Sequence, residues 1–160
     1  IYLNDLAHEI KNLNAGVDTA DSNISILLYA DDIALVAPSE NNLKIMLKTL
    51  SDWSKKWCIN VNITKSKIMH FRKKGTECSS FNFLCGDKEL CYVKTYKYLG
   101  VLFSEHLDYE DNACLLAQAG GRALGSVIAK YKSQGFMGYS TFTKLFESCI
   151  CPILDYSSGV

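Results

Sequence analysis

The stretch from Ile26 to Ala37 sets two adjacent carboxylates, Asp31 and Asp32, between two apolar runs that each read as a buried strand. Two unit charges about 4 Å apart repel by roughly 4 kcal/mol at an effective dielectric near 20, so a folded chain keeps such a pair only at a solvated tip or beside cations. Strand, acidic tip, strand is therefore either a hairpin turn or a metal cradle. Strand alternation sends neighbouring side chains to opposite faces, but a tight turn relaxes that rule and lets both carboxylates address one region. Asp is also common in turns for its local hydrogen bonding alone, so the pair by itself leaves both readings open.

Composition bounds the rest. With 160 residues, 48% hydrophobic and 11% aromatic, the chain has material for one domain with a real core and is not generally disordered. No apolar run approaches the ~20 residues of a membrane span, and the first residues lack the basic start of a signal peptide. The expectation is an intracellular, soluble protein that is neither secreted nor membrane-bound. Seven cysteines, an odd number without Cys-x-x-Cys pairing, suggest neither a disulfide framework nor a zinc site and read as small core residues in a reducing compartment. His8, His70 and His106 have no metal-ligand spacing.

A net charge of zero hides an asymmetry. Residues 1–40 carry seven acids against Lys11, whereas residues 41–74 carry nine bases against Asp52. A basic stretch beside an acidic tip fits a polyanion lying across a cation site, with Lys55, Lys56, Lys65, Lys67, Arg72, Lys73 and Lys74 as candidate phosphate contacts. The plainer alternative is a solvated helix face followed by a polar strand.

Along the chain, Ile1, Leu3, Leu6, Ile10 and Leu13 follow a helical period, and a polar loop after Gly16 leads to the acidic hairpin, which ends at Pro38. Ser39 then caps a helix whose stripe is Leu43, Met46, Leu47, Leu50, Trp53 and Trp57, with both tryptophans expected in the core. Strands are expected at 67–71 and 96–103, and a hairpin around Gly86-Asp87 between 81–85 and 90–93. A long helix from Asp108 to Gly135 and a shorter one from Thr141, stopped at Pro152, complete the pattern. The fold class is α+β, mixed over residues 1–103 and helical over 104–160, with a boundary near Ser104. The chain lacks an initial Met and both its ends read as cuts.

Tyr29-Ala30-Asp31-Asp32 inside an apolar hairpin resembles the YADD box of reverse transcriptases. Other segments are similar to that family in the same order. Ile1 to Leu6 resembles the segment after its glutamine-glycine motif, Ile59 to Ser66 its Asn-x-x-Lys-Thr/Ser element, and Tyr96 to Val101 its primer-grip hairpin. The phrasing around them resembles LINE-type, non-LTR retrotransposon enzymes more than retroviral ones.

That resemblance implies the C-terminal part of a polymerase palm, antiparallel strands with packed helices, over 1–103, and a helical, truncated thumb over 104–160. It implies RNA-directed DNA polymerase activity by two-metal nucleotidyl transfer, using Mg²⁺ or Mn²⁺, deoxynucleotide triphosphates, an RNA template and a DNA primer. Asp31 would be the direct metal ligand and Asp32 its support, while Tyr29 and Ala30 would lie against primer terminus and nucleotide. Lys65 sits at the lysine that would orient or protonate the pyrophosphate leaving group, or is an ordinary solvated lysine after a turn. Tyr98, Leu99 and Gly100 match the primer grip, or form an edge strand packed on the core.

The family's site needs another Asp on a strand upstream of residue 1, together with fingers, so the isolated chain is expected to be catalytically inactive and to need that upstream segment as a partner. Nuclear and cytoplasmic location follows only from the resemblance. Two alternatives stand beside it. One is a non-catalytic retroelement relic with residual nucleic-acid binding. The other is a stand-alone cation module, for which two carboxylates supply few of the six oxygens Mg²⁺ requires.

Overall fold

The computed structural model describes residues 2–135 and 138–158; Ile1, the start of the expected first helix, lies outside them. The chain divides into two compact units, one of residues 1–70 and 75–93, the other of residues 71–74 and 94–160. The division falls at Val93–Lys94, where the change of sequence pattern puts it near Ser104. The strands at 95–104 therefore group with the helices that follow.

In the first unit, helix α1 (Tyr2–Asn12) and helix α2 (Glu40–Lys56) pack on each other and on the strands between and after them. Helix α2 begins where the sequence places it. Ser39 Oγ accepts the Asn42 N–H at 3.3 Å, Glu40 lies at the positive start, and Lys55 and Lys56 at the negative end. Its Met46, Leu47, Leu50 and Trp53 are buried with Leu6, Ile10, Ile26, Ile68, Phe83 and Leu90 in one core. Trp57 departs from the expected stripe and is exposed. It occupies the C-cap at φ −98°, ψ 4°, past the point where the helical period fixes direction, and Lys56 Nζ lies 5.7 Å from its ring centroid.

The polar loop after Gly16 contains a short hairpin, β1 (Val17–Asp18) with β2 (Asn23–Ile24). The Asn23 amide clasps Gly16 from both sides, accepting its N–H and donating to its carbonyl, each at 3.2 Å. A Cβ at Gly16 would collide with the Ile24 backbone, so only glycine permits this approach. The acidic hairpin follows as β3 (Ile26–Tyr29) and β4 (Asp32–Leu35).

Of the strand expected at 67–71, only β5 (Lys67–Ile68) forms. The chain then leaves the ladder, with His70 Nδ1 taking the Ser79 N–H at 3.1 Å. The turn at Gly86-Asp87 joins β6 (Leu84–Cys85) to β7 (Lys88–Glu89), tighter than the expected flanks, and β8 (Cys91–Tyr92) pairs parallel with β5.

The second unit opens with β9 (Thr95–Tyr98) and β10 (Val101–Ser104). These make an antiparallel hairpin rather than the single strand expected over 96–103, because Leu99 and Gly100 adopt positive φ and reverse the chain. Helix α3 (Glu110–Gln134) ends at Gly135 as expected, with α4 (Tyr139–Cys149) and α5 (Cys151–Leu154) packed against it and each other. Pro152 starts α5 instead of only stopping α4. In the first turn of a helix its missing N–H has no partner to lose.

The cysteines correct another expectation. Cys85 is buried, whereas Cys58, Cys78, Cys91, Cys114 and Cys149 are exposed. Among the described residues no helix is long and apolar enough to cross a membrane.

Candidate functional site

The acidic tip is a two-residue turn. Tyr29 pairs with Asp32, Leu28 with Ile33, Leu27 with Ala34 and Ile26 with Leu35, leaving Ala30 and Asp31 as the loop. Ala30 has φ 51° and Asp31 is not among the positive-φ residues, which is the φ pattern of a type II′ hairpin turn. Glycine is the usual residue there, so alanine holds a conformation that costs an L-residue energy.

Register and period two then sort the side chains. Ile26, Leu28, Ile33 and Leu35 share one face, from which Ile26, Ile33 and Leu35 join the core; Leu27, Tyr29, Asp32 and Ala34 share the other. Tyr29, 64% exposed, is thus the direct cross-strand neighbour of Asp32, and Asp31 caps the turn beside them. Both carboxylates are exposed, so water screens their mutual repulsion, and among the described residues neither has a salt-bridge partner.

Two adjacent carboxylates at a solvated tip are hard oxygen donors of the kind Mg²⁺ or Mn²⁺ accepts, and they supply part of a six-oxygen shell. Among the described residues no group of three or more His, Cys, Asp or Glu is arranged so that it could hold a metal ion.

Lys65 lies on a separate loop of the same unit. Asn62 Oδ1 accepts the Thr64 hydroxyl at 2.6 Å and the Lys65 N–H at 3.2 Å, while the Asn62 carbonyl accepts the Ser66 N–H and Ser66 hydroxyl, each at 2.9 Å. Asn62 thereby sets the backbone of the element through its own side chain, and Lys65 stands exposed on it.

Tyr98, Leu99 and Gly100 lie together at the tip of the β9–β10 hairpin in the second unit. Tyr98 pairs with Val101, and Leu99 and Gly100 have φ 47° and 86°, the two positive values of a type I′ turn. Leu102 N–H on β10 donates to the buried Asn112 Oδ1 of α3 at 2.9 Å. The Tyr156 hydroxyl, after α5, donates to the Leu99 carbonyl at 2.6 Å. Nothing in the sequence around Tyr156 announces that contact, which joins residues 57 positions apart.

Near the α3 start, Arg72 pairs with Glu105 at 2.8 Å and Lys74 with Asp108 at 3.1 Å. The Lys74 ammonium, and after it the Glu110 N–H, hold the Asp108 carboxyl below the usual carboxylate range. Arg72, Lys73 and Lys74 were expected as phosphate contacts; two of the three are committed to carboxylates.

The strained acidic turn lies in a segment, residues 1–103, that matches the family described as reverse transcriptase (RNA-dependent DNA polymerase), and the chain belongs to that family. Within it, the chain is similar to the RNA-directed DNA polymerase from mobile element jockey of Drosophila funebris, 22% identical over 158 residues. That alignment covers 95% of this chain and 17% of the relative, so the chain spans about a sixth of that protein's length. No solved structure matches. The resemblance to LINE-type reverse transcriptases, and with it the α+β class, is borne out.

Proposed function

We propose that this chain is part of the RNA-directed DNA polymerase of a LINE-type retroelement, which adds deoxynucleotides to the 3′ end of a DNA primer on an RNA template. The observation that carries the reading is the Asp31-Asp32 pair, exposed at the tip of a hairpin whose turn requires positive φ at Ala30, within the segment that matches the family.

Asp31 would hold Mg²⁺ or Mn²⁺, with Asp32 beside it; such a cation, when bound, neutralises developing charge on phosphate oxygens and lowers the pKa of an attacking hydroxyl. Tyr29, on the same face as Asp32, offers an exposed ring against the primer terminus, and the small Ala30 leaves room for the nucleotide. Lys65, exposed on the turn that Asn62 holds, would meet a polyphosphate as a point charge. Tyr98, Leu99 and Gly100 form the turn that contacts the primer. The first unit supplies palm and the helices of the second supply thumb. The protein acts inside the cell, in nucleus and cytoplasm. On this reading the 160-residue chain by itself would be inactive, because two carboxylates supply only part of the six-oxygen shell that such cations take.

The test is Mg²⁺-dependent primer extension on an RNA template, by the chain expressed with its flanking coding sequence, alongside Asp31→Asn and Asp32→Asn. Extension that falls by at least a hundredfold in Asp31→Asn supports the reading. Extension that survives both substitutions, or its absence from a well-folded protein, overturns it.

A further inference from the structure

The Leu99-Gly100 turn holds a leucine in the left-handed region, a genuine outlier for a bulky side chain that persists only where the surroundings over-determine it. What over-determines it is visible in the second unit. The Tyr156 hydroxyl donates to the Leu99 carbonyl at 2.6 Å, at the short end for an O–H donor. The same ring lies against Gly100, where a Cβ would meet Tyr156 Cε1 and Oη at 3.0 Å. Tyr156 is itself referenced to α3. Leu154 of α5 fits over Gly120, where any Cβ would strike its Cδ2 at 2.6 Å. Helix α3 also takes the Leu102 N–H of β10 through Asn112. The contacts close a ring from hairpin strand to α3 to α5 and back to the hairpin tip.

We propose that Tyr156 is a positioning residue that locks the Leu99-Gly100 turn in one backbone shape, so that the turn sets the primer 3′ end for attack. The proposal rests on the reading of this hairpin as a primer contact. A hydroxyl is required, because a phenylalanine ring fills the same space against Gly100 and leaves the Leu99 carbonyl without its donor. Misplacing a reacting atom by a fraction of an ångström acts on the chemical step and leaves most of the binding surface intact. Tyr156→Phe therefore lowers kcat by roughly tenfold with the primer–template KM within about twofold.

The experiment has two arms. In the 160-residue chain carrying a ¹³C-labelled Leu99 carbonyl, Tyr156→Phe moves that resonance upfield as the hydrogen bond is lost; an unmoved resonance overturns the proposal without reference to any activity. In the chain expressed with its flanking coding sequence, kcat and KM for primer–template are compared for Tyr156→Phe and Tyr98→Ala. A fall in kcat for both supports the proposal. A fall for Tyr98→Ala alone overturns the role of Tyr156 and keeps the hairpin as a primer contact. No change in either overturns the hairpin reading itself. A rise in KM at constant kcat shows binding in place of positioning and also overturns the proposal.

Discussion

Replacing Ala30 by glycine is expected to stabilise the first unit, although it deletes a side chain. At φ 51° an L-residue carries a conformational cost of about 1–2 kcal/mol that glycine does not. Glycine in turn loses roughly 0.5–1 kcal/mol through the greater freedom of the unfolded chain. Because the Ala30 methyl is exposed, no packing is forfeited. The balance favours Ala30→Gly by about 0.5–1 kcal/mol, or a rise in Tm of roughly 2–8 °C for a unit of this size. Ala30→Val runs the other way, since a β-branched residue is poorly tolerated at positive φ, and is expected to destabilise by about 1–2 kcal/mol. Both tryptophans, Trp53 and Trp57, lie in this unit, so urea unfolding followed by tryptophan fluorescence reports on it. The midpoint should rise for glycine and fall for valine with the slope unchanged. A glycine variant no more stable than the parent, or a valine variant equal to it, would refute a turn held by left-handed Ala30.

Three further outcomes are expected. Gly16→Ala should destabilise by about 2–4 kcal/mol, since its Cβ meets the Ile24 backbone and disrupts the Asn23 clasp; chemical denaturation measures it, and a change under 0.5 kcal/mol would contradict that packing. The Asp108 carboxyl is depressed when folded, so its contribution to stability is present above the ordinary carboxylate pKa near ~4 and disappears as pH falls through the lower folded value. Lys74→Met should raise the Asp108 midpoint in a carboxyl NMR titration, and an unmoved midpoint would exclude the Lys74 pairing. Burial pushes the Cys85 thiol up, against a smaller opposing effect of Lys55, so in native protein at pH 8 a thiol reagent should modify Cys58, Cys78, Cys91, Cys114 and Cys149 well before Cys85. Equal rates would contradict the burial of Cys85.

What was legible in the sequence was local. The Ser39 cap and its stripe located α2, alternation around Asp31-Asp32 located the hairpin, and Gly135 located the end of α3, because each signal acts within one helical turn or one strand pair. Periodicity failed where the regular element stopped. Trp53 and Trp57 share a stripe on paper, yet Trp57 sits at the cap and turns to solvent. By pattern alone the segment 96–103 read as one strand, because Leu99 gives no warning of positive φ and Gly100 alone did not reveal the turn; only the resemblance to a primer-grip hairpin pointed to the reversal.

The sequence by itself determined the α+β class, the acidic hairpin and the family, through short-range patterns of hydrophobicity and the order of its motifs. Only the tertiary structure decided that β5 pairs parallel with β8, that Cys85 is the cysteine enclosed by the core, and that the 95–104 hairpin groups with the helices. The same holds for Tyr156, which reaches the Leu99 carbonyl across 57 residues of chain. Such contacts depend on which distant segments meet after the chain closes, and no local propensity encodes that meeting.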